Sequence, residues 1–101
     1  IKLADYTKHT LGMYSGKVEN VTMRFYNGMV GTVLDKFGRD VTLIKDGDTH
    51  FKITVPVAIS PQFYAWVFGL KNYVTIEGPP SVVEGMKDML SAVGKRYEGA
   101  Q

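Results

Sequence analysis

The fold is decided by an alternating stretch in the first quarter of the chain, Val21-Thr22-Met23-Arg24-Phe25-Tyr26. Val21, Met23 and Phe25 lie on one side of an extended backbone, and the residues between them lie on the other side. Apolar residues on one side only are typical of a strand with one buried face and one open face. This stretch therefore predicts a β-strand in a half-covered sheet.

The sequence after this strand predicts an α+β domain. Helical spacing of apolar residues predicts helices over residues 29–37, 60–70 and 81–97. Alternation, or short apolar runs between turn signals, predicts further strands over residues 40–45, 49–58 and 73–77. The resulting order is β-α-β-β-α-β followed by a helix. It fits a ferredoxin-like antiparallel sheet with helices on one face and the strand order 4-1-3-2.

Individual residues mark the ends and the buried sides of these elements. Asn27 is predicted to cap the first helix and Gly38 to end it. Asp46-Gly47 predicts a hairpin turn, and Ser60-Pro61 predicts the start of the second helix, in which Trp66 is expected to face the core. The buried stripe of the last helix is predicted to contain Val82, Met86, Met89 or Leu90, Val93 and Tyr97.

The composition describes one ordinary globular domain. The chain has 101 residues, of which 45% are apolar and 22% charged, and it has no cysteine. The lack of cysteine excludes disulfides and suits the cytoplasm, where we expect the protein to act. The net charge of +2 comes from scattered residues. A domain that binds duplex DNA without the help of another domain usually carries a dense basic patch. No apolar run approaches the roughly 20 residues of a membrane span, so no membrane partner is expected.

Residues 1–16 are interpreted as a connector that precedes a domain of residues 17–101. Tyr6, Met13 and Tyr14 have little to bury against in a single strand-and-helix core, so we expect them to contact another domain or subunit. The chain begins with Ile1 rather than Met, which favours a piece of a longer protein.

No constellation of side chains suits catalysis or metal binding. His9 and His50 are far apart and lack the spacing of metal ligands. The acidic residues fall mostly at predicted turns and exposed helix faces, where no pair is set up for acid–base work. We therefore expect no enzyme, no metal and no cofactor. An acylphosphatase-like hydrolase of the same topology is disfavoured: Asn20 and Asn27 flank the first strand, but no arginine-bearing loop precedes the first helix.

The candidate ligand site is the open face of the predicted sheet. Arg24 and Tyr26 of the first strand and His50 and Lys52 of the third share this face, because they alternate with core residues. Guanidinium and ammonium groups bind phosphate and carboxylate strongly, so the face suits an anionic ligand. A plain solvated face and a protein interface explain the same residues. An RNA-recognition surface is disfavoured because Phe51 falls on the core side.

Five stretches of the chain resemble the C-terminal extension, or WCX domain, of bacterial WYL-domain transcription regulators. They are residues 6–16, 21–25, 35–40, 57–69 and 80–97. In that order they resemble the connector after the WYL domain and then the opening strand, the end of the first helix, the second helix and the closing helix of the extension. The Trp-Tyr-Leu tripeptide is absent, as expected if a WYL domain lies upstream.

This resemblance implies a homodimeric regulator with a helix-turn-helix DNA-binding domain and an effector-binding WYL domain before this extension. The extension is then expected to serve regulation and dimerisation. Arg24 is the candidate basic contact to an effector such as a nucleotide or single-stranded DNA. The alternative is a free-standing ferredoxin-like domain that binds a small molecule.

Overall fold

The computed structural model describes residues 17–98, which form one antiparallel sheet and three helices. The strands are β1 (Val18–Tyr26), β2 (Ile44–Asp46), β3 (His50–Ala58) and β4 (Val74–Gly78). The helices are α1 (Val30–Phe37), α2 (Pro61–Gly69) and α3 (Pro80–Glu98), and 3-10 turns cover Asn27–Met29 and Lys71–Tyr73. The predicted α+β class, with an antiparallel sheet and a closing helix, is confirmed. The predicted connector, residues 1–16, lies outside the described residues.

The core is built on the two central strands of the sheet. The strand order is β2-β3-β1-β4, so β1 and β3 lie in the middle. Their buried face carries the cross-strand pairs Val21–Val55, Met23–Ile53 and Phe25–Phe51. The rings of Phe25 and Phe51 stack with centroids 5.5 Å apart. Because Phe25 is fully buried, its truncation to Ala would cost about 3–5 kcal/mol. The alternation predicted for β1 is confirmed.

Trp66 of α2 joins α1 to this core. Its ring meets Phe25 edge-on with centroids 6.3 Å apart, and it meets Phe37 of α1 edge-on at 5.6 Å. The Lys36 ammonium group lies 5.2 Å from the centre of the Trp66 ring, within cation–π range. Trp66 is half-buried, because it packs at the margin of the core.

Tyr64 fixes α2 on α3. Its buried hydroxyl group donates a hydrogen bond to the Val82 carbonyl oxygen of α3 at 3.0 Å. Gly85, one helical turn further along α3, leaves room for the ring, because a Cβ atom there would overlap the Tyr64 hydroxyl group. Burial raises the pKa of Tyr64, so its hydroxyl group remains a hydrogen-bond donor near neutral pH.

Several predicted end signals are confirmed. Gly38 ends α1 with a φ of 92°, and Gly47 lies in the β2–β3 turn with a φ of 76°. Both values fall in the left-handed region that favours glycine. The Ser60 side chain accepts a hydrogen bond from the Phe63 amide at 3.2 Å and caps α2, with Pro61 as the first helical residue.

Three local predictions are wrong. Asn27 does not cap α1; its side chain donates to the Asp48 carbonyl oxygen at 3.0 Å, so it ties the end of β1 to the β2–β3 turn. The second strand covers only Ile44–Asp46 instead of residues 40–45. Val93 and Tyr97 are 52% and 79% exposed, because α3 packs on the core only from Val82 to Met89.

Candidate functional site

The open face of the sheet brings together all four residues predicted as a ligand site. Arg24 of β1 is paired directly with Lys52 of β3, and Tyr26 is paired with His50. Directly opposed residues of antiparallel strands have Cβ atoms about 4.5–5.5 Å apart. The two cationic side chains therefore leave the sheet side by side, next to a pair of rings.

Arg24 and Lys52 each form an ion pair with a carboxylate two strands away, so each side chain crosses the strand that carries the other cation. Arg24 Nε donates to Asp46 Oδ2 of β2 at 2.6 Å, although β3 lies between β1 and β2. Lys52 Nζ lies 2.8 Å from Glu77 Oε1 of β4, although β1 lies between β3 and β4. The two ion pairs cross and together span the four strands. Their side chains remain 32% to 38% exposed, so solutes can reach them.

The ion pairs shift two pKa values in opposite directions. The hydrogen bond from Arg24, together with its positive charge, lowers the pKa of Asp46 below its usual value. The hydrogen bond to Glu77, together with its negative charge, raises the pKa of Lys52 above its usual value. Asp46 and Lys52 are therefore both charged near neutral pH, and both ion pairs persist there.

An aromatic cluster borders the ion pairs. The Tyr26 ring centroid lies 5.7 Å from that of Tyr73 and 6.0 Å from that of His50. Tyr26 and Tyr73 are 44% and 47% exposed. The His50 Nδ1 atom is hydrogen-bonded to the Thr49 hydroxyl group at 2.7 Å, which orients the imidazole ring. Exposed rings beside cations suit a ligand that carries both a flat ring and an anionic group.

Sequence reasoning missed the carboxylates of this face. It assigns Asp46 only to a turn and gives Glu77 no role. A signal was present, because the strand order 4-1-3-2 puts one carboxylate-bearing strand on each side of the central pair. Arg24 and Lys52 are therefore not free cations, and an anion that binds them must compete with Asp46 and Glu77.

A second candidate surface lies between α2 and α3. We call it the α2–α3 surface and define it by the exposed side chains Phe68, Leu90, Val93 and Tyr97. These side chains border an apolar groove of about 370 Å³, which Met86 and Met89 also line. Contiguous exposed apolar side chains of this kind are typical of a protein or ligand interface. Tyr6, Met13 and Tyr14, which the sequence predicts as interface residues, lie outside the described residues.

Residues 17–98 contain neither a candidate metal site nor a helix suited to crossing a membrane. No group of three or more His, Cys, Asp and Glu side chains in this part of the chain is arranged to hold a metal ion. No helix described here is both long enough and apolar enough to cross a membrane. The His50 ring contacts Tyr26 and is hydrogen-bonded to the Thr49 hydroxyl group.

These observations define a small α+β domain whose sheet has one helix-covered face and one open face with paired cations and exposed rings. The family model of the WCX domain matches residues 17–94, which is most of the chain. The chain belongs to the WCX domain family, whose members are the C-terminal domain of WYL-type regulators. The search of curated proteins found no match to the chain.

Proposed function

We propose that this chain is the C-terminal regulatory and oligomerisation domain of a bacterial WYL-type transcription regulator. The observation that carries the proposal is the WCX match over residues 17–94. In this proposal a helix-turn-helix domain binds DNA, a WYL domain upstream binds the effector, and this domain supports effector sensing and assembly. The regulator acts in the cytoplasm, and the domain itself catalyses no reaction.

The open face supports the effector part of this proposal. Arg24 and Lys52 leave the sheet side by side, and Tyr26 and His50 lie next to them. A phosphate group held between the two cations would replace the carboxylates as their counter-ion, and a nucleobase would pack on Tyr26. We therefore propose a nucleotide or single-stranded DNA as the effector that this face contacts.

The arrangement of the strands supports a ferredoxin-like classification. The order β2-β3-β1-β4 is the order 4-1-3-2 read from the other edge. In this classification one helix follows β1 and another follows β3, and both pack on the same side of the sheet. The other side is then free to contact an upstream domain or its effector.

Replacement of Arg24 by Ala in the full-length regulator tests the proposal. The response of operator binding is measured while ATP or, separately, a short single-stranded oligodeoxynucleotide is titrated. Loss of a charge-assisted contact should shift the half-maximal concentration by about tenfold or more for the probe that acts as effector. Lys45→Ala, which removes an exposed cation from the edge strand β2, is the matched control. If the Arg24 variant responds like wild type to both probes, the open face has no part in sensing.

A further inference from the structure

The exposed half of α3 carries an apolar stripe that its own domain does not cover. Met86, Leu90, Val93 and Tyr97 follow the spacing i, i+4, i+7, i+11, which places them on one side of a helix. Met86 packs partly on the core, whereas Leu90, Val93 and Tyr97 are 46%, 52% and 79% exposed. On α2, Phe68 extends the same surface and is 65% exposed.

The size of this surface matches a weak, specific protein contact. The exposed parts of Phe68, Leu90, Val93 and Tyr97 amount to roughly 450 Å², within the range of functional apolar patches. Two copies brought together on this surface would bury about 900 Å², close to the lower limit of about 1,000 Å² for specific interfaces. The groove lined by Met86 and Met89 can receive a side chain of the partner, because methionine side chains adapt their shape to an inserted group.

The charges beside the stripe favour an antiparallel second copy of α3 as the occupant. Lys87 and Glu98 are eleven residues apart, close to three helical turns, so they flank the stripe on the same side. An antiparallel copy would bring Lys87 of each protomer opposite Glu98 of the other, because identical flanks of the two helices then face each other. A parallel copy would not form this pair, because the two Lys87–Glu98 flanks would lie on opposite sides of the dimer. The Glu84 contact of Lys87, at 3.4 Å and well exposed, is of the kind that contributes little.

We propose that the α2–α3 surface is a two-fold interface in which α3 packs antiparallel against α3 of a second copy of this chain. In such an isologous contact, Tyr97 of each protomer enters the groove beside Met86 of the other. Leu90 and Val93 lie near the two-fold axis, and Lys87 and Glu98 form an ion pair at each end. This proposal rests on the oligomerisation role proposed above and names the surface that performs it.

The oligomeric state of the 101-residue chain tests the interface. Sedimentation equilibrium should reveal a monomer–dimer equilibrium in the micromolar range. Leu90→Arg should raise the dissociation constant by about tenfold or more, because it puts an unpaired charge at the centre of the contact. Ala92→Arg adds the same charge at an exposed residue on the side of α3 away from Lys87 and Glu98 and should leave the dissociation constant unchanged. Circular dichroism checks that both variants are folded.

Exchanged charges test the antiparallel arrangement. Lys87→Glu and Glu98→Lys should each weaken self-association severalfold, because each places like charges together at both ends of the dimer. A mixture of the two variants should form a heterodimer, since each of the two contacts then joins a lysine of one variant to a glutamate of the other. The preference should fall as salt is added.

Three results would overturn the inference. They are a monomeric chain throughout the micromolar range, a dimer that Leu90→Arg leaves intact, and charge variants with no preference for mixing. None of them bears on the effector role, which the Arg24 titration measures separately. A normal Arg24-dependent response together with a monomeric chain would therefore reject this interface and leave the regulatory proposal standing.

Discussion

Arg24 and Lys52 lie directly opposite each other in the β1–β3 pairing, and each is neutralised by a carboxylate two strands away. Like charges in directly opposed positions repel and destabilise a sheet. Asp46 and Glu77 relieve that repulsion while they compete with any anion for the same two cations. The strength of anion binding at the open face therefore depends on these carboxylates as much as on the cations.

Asp46→Asn should strengthen anion binding by the chain. The variant keeps the shape of the side chain but removes the negative charge that holds Arg24, so we expect about three- to tenfold tighter binding of ATP by calorimetry. Asp48→Asn changes the net charge equally in the same turn, without touching the Arg24 ion pair. An equal gain in both variants would mean that net charge, and not release of Arg24, controls binding.

The stabilising effect of Asp46 should disappear in acid. Its pKa in the folded chain lies below the usual value of 3.8, so its ion pair stabilises the fold fully above that value. The contribution is lost as pH falls through the lowered folded pKa, because the unfolded chain then binds the proton more readily. Urea unfolding of wild type and Asp46→Asn should differ near neutral pH and converge in acid, once the pH lies below the lowered pKa of Asp46 in the folded chain. A difference that stays constant into strong acid would contradict this.

The fold class could be predicted because its signals are local. Alternation in residues 21–26 and 50–55 marks the two central strands, since a period of two assigns every side chain to a face. Ser60-Pro61 and Asp46-Gly47 mark a helix start and a turn through backbone chemistry that needs no tertiary context. These elements are confirmed where the sequence predicts them.

The remaining features depend on contacts between distant parts of the chain. Asn27 is an equally good cap or turn residue by type, and only the nearness of Asp48 decides its role. The crossed pairing of Arg24 with Asp46 depends on the strand order and on side-chain reach, neither of which a single-strand pattern contains. The helical spacing of Val93 and Tyr97 is real, but spacing alone does not say whether the partner surface belongs to this domain.

Ser60→Ala should lower the free energy of unfolding by about 1 kcal/mol, because it removes the oxygen that accepts the Phe63 amide hydrogen at the start of α2. Chemical denaturation of the chain measures this loss. Ser60→Asp should retain most of the stability, since its carboxylate can accept the same hydrogen bond. Ser91→Ala, at an exposed position inside α3, should not destabilise the chain. A loss of the same size at Ser91 would show that capping is not the cause.

Gly85→Ala should destabilise the chain although Ala is the better helix former. The methyl group would lie 2.9 Å from Tyr64 Cζ and overlap the hydroxyl group, so the ring must move and its hydrogen bond to Val82 is lost. Overpacking of this kind costs about 1–3 kcal/mol, more than the roughly 1 kcal/mol that Ala gains over Gly in a helix.

Gly94→Ala, where a Cβ atom meets nothing within 4 Å, should instead raise the melting temperature. Tyr64→Phe should recover part of the Gly85→Ala loss, because it removes the overlapping oxygen. Equal stabilisation by Gly85→Ala and Gly94→Ala would mean that the Tyr64 ring does not pack against Gly85.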